Sequence, residues 1–388
     1  MKIFGSPIAW RETTTAQSAV NRVFVQPCCS QEQVTLDKDI AGRLDNKVYM
    51  MSIIKSNTVR AFCAMMVLMM GMATPASAQT PPVISCANYV GSPIATPNTL
   101  GVVPVLEYHR IGTINLRWQI TPSMLMQNLY WLYSHDFYLI TFGQLTTGDI
   151  HIPFGMHPAV LTFDDGSPNQ FQWNAKHQPL PTSAVGVLTE FHTLHPSWPV
   201  TATFFVNKYP FGQDSQAKLQ WLVANGYEIG NHTYDHANLN VLNSQEINAE
   251  VGKEELFIAT AVPGYRAISF ALPYGGLPTN QQDRSALLSG SYGGVSWNFK
   301  GVALVGGNPS PSPLSKNFHP TTFGVPRIQV AAVQTDPSSA SYLFAGWQQW
   351  MLNNQSKLYT SPGCATAGAT LLNAQSPLLI ENFGRWHF

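Results

Sequence analysis

Residues 159–166 read Ala-Val-Leu-Thr-Phe-Asp-Asp-Gly, an apolar run that opens onto two adjacent carboxylates and a glycine. A near-continuous apolar run is typical of a strand buried in a parallel sheet, and Asp-Gly marks the turn that ends it. In α/β enzymes the chemistry sits on the loops that follow such strands. Two ionised carboxylates side by side repel each other unless a cation or a shared proton separates them. Asp164 and Asp165 therefore predict a cation at the end of this strand.

A second group of polar side chains lies further along, where residues 232–236 read His-Thr-Tyr-Asp-His. A spacing of four places His232 and His236 on one face of a helix, and a loop allows the same convergence. Two histidines, one carboxylate and an open position for water form a common hydrolytic zinc site. Both groups follow predicted strands, so we expect them to share one divalent ion. Zinc is the expected ion, and other divalent ions stay open because such sites accept several.

Strand and helix patterns alternate along the chain from residue 101 onward. The predicted strands cover residues 101–109, 137–142, 159–163, 201–206, 227–230, 267–272 and 324–330. The predicted helices begin behind the Thr121-Pro122 pair and behind Ser244, and cover residues 184–192, 218–224 and 342–352. With no internal repeat and no long linker, this alternation predicts one α/β domain with a parallel sheet that is closed or nearly closed into a barrel.

The amino-terminal region has the pattern of an export signal. Lys55 and Arg60 precede an apolar run at 61–72, and Ala-Ser-Ala at 76–78 is a small-x-small cleavage site. The apolar run is too short to span a bilayer. No cysteine follows the cleavage site, so no lipid anchor is expected. The sequence therefore predicts a signal peptide over 50–78 and a secreted or periplasmic protein without a stable membrane anchor.

The signal peptide divides the rest of the chain. Residues 1–49 precede its natural start and are interpreted as an upstream extension that is not part of the native protein. Residues 79–100 form an extended arm, and residues 101–388 form the barrel domain. Cys86 and Cys364 remain after cleavage. In an oxidising compartment they can form a disulfide that ties the two ends together, and two free thiols are the alternative.

Composition limits the range of partners. The chain of 388 residues is 45% hydrophobic and 11% charged, which is enough apolar material for a large core. Its 21 basic and 21 acidic side chains give no net charge. Nothing in this balance favours binding to nucleic acid or to an acidic membrane. Composition does not determine the oligomeric state.

Three ordered segments give the chain a family resemblance. These are Thr-Phe-Asp-Asp-Gly at 162–166, Ala-Thr-Phe-Phe at 202–205 and Gly-Asn-His-Thr-Tyr-Asp-His at 230–236. In this order they resemble the polysaccharide deacetylases, the NodB-homology domains of carbohydrate esterase family four, over residues 101–330. The resemblance implies a metal-dependent hydrolase on a distorted (β/α) barrel of about seven parallel strands, fewer than the eight of the common barrel. It also implies that Asp164 is the general base, with Asp165, His232 and His236 as metal ligands.

A further segment, Phe-Ala-Leu-Pro-Tyr-Gly at 270–275, resembles the Pro-Tyr motif of the family. There the backbone N–H of the tyrosine, here Tyr274, helps to hold the oxyanion. Most members carry an arginine three residues before that tyrosine, and this chain has Ala271. How Asp164 is oriented is therefore open, with Arg327 and Arg266 as candidate replacements.

The alanine, together with Pro-Val-Leu-Glu-Tyr-His at 104–109, is similar to the poly-N-acetylglucosamine deacetylase branch. In that branch the catalytic acid is a histidine of the first strand, which implies His109. His319 and His387 are the alternatives, since the late Leu-x-His motif of other members has no clear counterpart here.

The expected function is metal-dependent removal of N-acetyl groups from an extracellular or cell-wall polysaccharide. Removal of O-acetyl groups is the alternative within the enzymes. A catalytically inactive glycan-binding module on the same fold is the alternative from another class. A binding module has no need to keep a base and a ligand set together, so the four side chains at 164, 165, 232 and 236 favour an enzyme.

Overall fold

The computed structural model describes residues 96–332 and 340–363. The upstream extension at 1–49, the signal peptide at 50–78 and the first part of the arm lie outside the described residues. Cys86, Cys364 and His387 also lie outside them. Within the described ranges, no helix is both long and apolar enough to cross a bilayer.

The described residues form twelve strands and seven α-helices. The strands are β1 (Val105–Tyr108), β2 (Arg110–Ile111), β3 (Gln119–Ile120), β4 (Phe137–Ile140), β5 (His157–Phe163), β6 (Thr203–Val206), β7 (Glu228–Asn231), β8 (Ser269–Ala271), β9 (Ser289–Tyr292), β10 (Val295–Asn298), β11 (Gly301–Ala303) and β12 (Ile328–Gln329). The helices are α1 (Pro122–Ser134), α2 (Phe142–Thr147), α3 (Ala184–Leu194), α4 (Ser215–Ala224), α5 (Ser244–Ala261), α6 (Gln281–Leu288) and α7 (Phe344–Asn353).

One curled parallel sheet organises the fold. Its hydrogen-bonded order is β11-β8-β7-β6-β5-β1-β12, and β4 pairs with the first half of β5. The two ends of this order approach each other through a parallel bridge between Ala303 and Val325 and an antiparallel bridge between Gly307 and Ile328. The α/β fold with a distorted, nearly closed barrel of about seven parallel strands is confirmed.

The alternation of side chains along each strand separates two apolar cores. The larger one lies between the sheet and the helices and includes Leu106, Leu161 and Phe204. The smaller one includes Val105, Val160 and Phe205, the neighbours of those residues on the opposite face of the same strands. It fills the inside of the barrel, so polar side chains further along the same strands have an apolar floor beneath them.

Helix ends follow from local chemistry. Thr121 caps α1 by accepting a hydrogen bond from the Met124 N–H, and Pro122 occupies the first helical position, as expected. At α5 the cap is Asn243, not Ser244 as expected from the sequence. Asn243 accepts hydrogen bonds from the backbone of Gln245 and Glu246, and Glu246 bonds back to it, which completes a capping box.

Several short elements differ from the sequence-based expectation. The strand expected over 137–142 ends at Ile140, because Thr141 and Gln144 form a capping box that begins α2. The β9–β10 hairpin and β11 were not expected, since they are short and rich in Gly and Ser, which carry little strand signal.

Candidate active site

Asp165, His232 and His236 converge beyond the ends of β5 and β7. Asp165 Oδ1 lies 3.5 Å from His232 Nε2 and 3.3 Å from His236 Nε2. A tetrahedral ion with bonds of about 2.1 Å separates its ligand atoms by about 3.4 Å. One carboxylate oxygen and two imidazole nitrogens at these distances fit a divalent ion. The sequence-predicted ligand set is therefore assembled as a candidate metal site.

A hydrogen bond to His232 and the backbone conformation of the loop orient these three side chains. His232 Nδ1 lies 2.9 Å from the Ala271 carbonyl oxygen, so Nδ1–H donates there and Nε2 is the nitrogen that faces Asp165. Asp165, Thr233 and His236 have φ of 76°, 60° and 54°, in the left-handed region that non-glycine residues rarely adopt. The histidines therefore converge from a strained loop, not from one face of a helix. Backbone strain of this kind concentrates at functional sites.

Asp164 lies beside this site and is held by Arg327. Arg327 Nη1 donates to Asp164 Oδ1 and Nη2 donates to Oδ2, both at 2.7 Å, in a two-point pair. Arg327 also donates to Thr162 Oγ1 at 3.0 Å and to the Leu304 carbonyl at 2.7 Å. Asp164 is 1% exposed and Arg327 is fully buried. Of the two candidate arginines, Arg327 orients Asp164, whereas Arg266 is exposed and donates to the Tyr265 carbonyl.

The pKa values of the two carboxyl groups follow from these contacts. Burial raises the pKa of Asp164, but the charge and hydrogen bonds of Arg327 outweigh it and hold that pKa below its usual value. Burial also raises the pKa of Asp165, and the hydrogen bond and charge of His232 bring it far below its usual value. Both groups are therefore carboxylates at neutral pH.

His109 lies on the same side of the barrel. It belongs to a cluster with Glu107 and Asp164 in which one nitrogen or oxygen atom of each residue lies within 4.8 Å of the others. Its ring packs against Trp118, with centroids 4.6 Å apart. His319, an alternative acid, is exposed and packs against Phe323. Among the described candidates, His109 is the one that the fold brings beside Asp164.

Tyr274 completes the group of expected site residues. Its ring lies 4.6 Å from the His236 ring and is 69% exposed. Its φ is 57°, which adds a fourth strained residue to the rim of the site. The Pro-Tyr segment is therefore placed next to the candidate metal ligands.

Sequence reasoning missed two buried side chains at the site. Gln170 is fully buried and its Nε2 donates to the backbone carbonyls of His109 and Asp164, which fastens the two segments together. Gln170 lies in the long segment 167–199, which carries no motif. Glu107 is fully buried beneath His109. Its signal was available, because a glutamate interrupts the apolar residues of β1.

Part of the chain matches a known protein family. Residues 152–289 match a family model described as "Polysaccharide deacetylase". This segment belongs to the polysaccharide deacetylase family. The matched residues include the candidate metal ligands, Asp164 and Tyr274, whereas His109 and Arg327 lie outside them and are brought to this segment by β1 and the loop before β12.

Relatives match this chain over limited stretches. A "Probable peptidoglycan-N-acetylglucosamine deacetylase" of Arthroderma benhamiae is 40% identical over 75 residues, 19% of this chain and 17% of the relative. A "Chitin deacetylase" of the same organism is 31% identical over 116 residues, 29% of this chain and 27% of the relative. The solved structure of IcaB from Ammonifex degensii has a TM-score of 0.45 and 22% identity, covering 64% of this chain and 97% of that one. This chain thus spans less than a third of each curated relative.

Proposed function

We propose that this protein is a metal-dependent hydrolase that removes N-acetyl groups from an extracellular or cell-wall polysaccharide. The observation that carries the proposal is a buried carboxylate, Asp164, held by Arg327 directly beside an Asp-His-His metal site. A catalytic base and a ligand set on adjacent residues are the parts that hydrolysis of an amide requires. The two Arthroderma benhamiae relatives are named as deacetylases, one for chitin and one for peptidoglycan N-acetylglucosamine, which supports the N-acetyl choice.

The side chains divide the reaction between them. A divalent ion held by Asp165, His232 and His236 would polarise the acetyl carbonyl and acidify a water molecule. Asp164 accepts the proton of the attacking water, since Arg327 keeps it ionised and fixed in direction. The Tyr274 backbone N–H donates to the oxyanion of the tetrahedral intermediate. His109 donates a proton to the leaving amine.

The signal peptide predicted at the amino terminus would bring the enzyme to its substrate. The signal peptide predicted over 50–78 would place the enzyme outside the cytoplasm, either secreted or in the periplasm, where cell-wall and secreted glycans are found. Export is a proposal that rests on the sequence alone. Amino-terminal sequencing of the mature protein tests it, with Gln79 as the expected first residue. A mature protein that begins at Met1 would contradict both the signal peptide and the interpretation of residues 1–49.

The activity is tested by two linked measurements. Purified protein is expected to contain about one divalent ion per chain by mass spectrometry, and to release acetate from N-acetylated chito-oligosaccharides. Release from O-acetylated xylan alone would assign the esterase reaction instead. Metal bound without acetate released from any acetylated glycan would assign a binding module.

Two variants separate the base from the ligands. Asp164→Asn is expected to retain the metal and lose turnover, because Asp164 is paired with Arg327 and is not a ligand. His232→Ala is expected to lose the metal, since its Nε2 is aimed at the site. A fully active Asp164→Asn variant would show that another group is the base.

A further inference from the structure

Glu107 has no assigned part in the reaction, yet its surroundings are unusual for a structural residue. Its carboxylate is fully buried inside the barrel, on β1, and neither oxygen has a hydrogen bond of good geometry among the described residues. The Gly306 backbone N–H lowers its pKa. A buried carboxylate without such bonds destabilises a protein by several kcal/mol in general. A group of this kind is explained when it does something else.

The charges around Glu107 do not balance. Arg327 Nη2 lies 3.7 Å from Glu107 Oε1, but the same guanidinium makes a two-point pair with Asp164. One buried cation therefore faces two buried carboxylates. Burial raises the pKa of Glu107, and the charges of Arg327 and His109 oppose that rise. Among the described residues, His109 is the group that can supply a second positive charge to Glu107, in addition to Arg327.

His109 stands two residues beyond Glu107, directly after the last residue of β1. Its Nε2 lies 3.9 Å from Glu107 Oε1, so a small movement closes a hydrogen bond. Register places this pair at the mouth of the barrel, since Glu107 is aligned with Thr162 on β5 and with Gln329 on β12. Trp118 against the ring and Gln170 on the His109 carbonyl limit other movements of the histidine.

We propose that Glu107 is a positioning residue for His109, holding Nε2–H with its carboxylate so that Nδ1 is the nitrogen that serves the substrate. This inference rests on the proposed function, in which His109 is the acid. When the C–N bond of the amide breaks, its electron pair goes to nitrogen and the proton on Nδ1 passes to that nitrogen. The imidazole is then neutral, with its remaining hydrogen on Nε2 directed at Glu107. Glu107 thus orients the acid, His109, as Arg327 orients the base, Asp164.

Glu107→Gln tests the proposal, because it keeps the shape of the side chain and removes its charge. We expect kcat for acetate release to fall about 10- to 100-fold, with KM changed less than about twofold and metal content unchanged. The melting temperature is expected to stay the same or rise, because an unbalanced buried charge is removed. A purely structural role predicts the reverse, a lower melting temperature with little change in kcat, and would overturn the proposal.

Glu228→Gln is the matched control. Glu228 is also a buried carboxylate of a barrel strand, but it accepts hydrogen bonds from the Gly143 N–H, Thr203 Oγ1 and Ser269 Oγ. Its replacement is expected to lower the melting temperature and leave kcat nearly unchanged. An equal loss of kcat in both variants would show a general effect of the barrel interior and would also overturn the proposal.

Two further measurements separate this inference from the proposed function. In a His109→Ala background, Glu107→Gln is expected to cause no further loss of kcat, since it acts through the missing imidazole. Full additivity would refute the role of Glu107 while leaving His109 as the acid, whereas a His109→Ala variant with normal kcat would refute the acid itself. Nitrogen-15 spectra of the imidazoles give an answer without turnover. The His109 Nε2 resonance should move in Glu107→Gln and not in Glu228→Gln, and an unmoved resonance would refute the contact.

Discussion

Replacing Arg327 by Met tests the electrostatic basis of the site. The substitution keeps much of the side-chain volume and removes four hydrogen bonds: two to Asp164, one to Thr162 and one to the Leu304 carbonyl. Asp164, which is 1% exposed, is left without a buried counter-charge. Removing one partner of a buried ion pair costs about 3–5 kcal/mol. The free energy of unfolding at pH 7 should fall by this amount.

The loss should depend on pH, and its sign follows from the pKa of Asp164. In the native protein Arg327 holds that pKa below its usual value, so the ionised carboxylate stabilises the fold above the unfolded pKa. Without Arg327, burial dominates and the pKa of Asp164 rises above its usual value. The difference in free energy of unfolding between the variant and the native protein is then smallest at pH 4, where Asp164 of the variant is neutral, and largest at pH 7. The acid limb of the rate profile should also move to higher pH, because the base is protonated there.

Urea denaturation at pH 4 and pH 7 measures the first effect, and acetate release against pH measures the second. Arg266→Met is the matched control, since Arg266 is exposed and bonds to the Tyr265 carbonyl. We expect no change in either measurement for this control. An Arg327→Met variant as stable as the native protein at both pH values, with the same acid limb, would refute the reasoning.

Three further predictions follow from the site and its supports. His109→Ala should lower kcat at least about 100-fold without reducing metal content by mass spectrometry, and an unchanged rate would move the acid to His319 or His387. Burial raises the pKa of Glu255 to about 7, so its ionisation opposes folding as pH rises through that value. In urea denaturation, the Glu255→Gln variant should be more stable than the native protein at pH 8, by up to about 3 kcal/mol, and equally stable at pH 4. The free energy of unfolding of the Gly230→Ala variant should be about 1–3 kcal/mol lower in the same assay, because the new Cβ would lie 2.4 Å from the Phe205 ring. A variant as stable as the native protein would show that the ring can move aside.

The candidate site shows which inferences could be made from local patterns. Asp165, His232 and His236 were identified because each is a ligand type that follows a predicted strand, and parallel strands deliver their ends to one rim. The expectation that the histidines could share a helical face was not needed, since His236 reaches the site through left-handed backbone. Backbone strain of this kind depends on surrounding packing and leaves no simple pattern in the chain.

Local patterns in the chain specify the alternating α/β architecture, the ligand types and the carboxylate pair, since these depend on periodicity and on neighbouring residues. The tertiary structure alone decided between Arg327 and Arg266, because a residue 163 positions from Asp164 reaches it only when β12 closes beside β1. It also decided that Glu107 is a buried carboxylate facing His109, and that Gln170 fastens two segments of the site. Contacts between distant residues depend on strand register and on what lies inside the barrel, and neither is written in any local stretch of the chain.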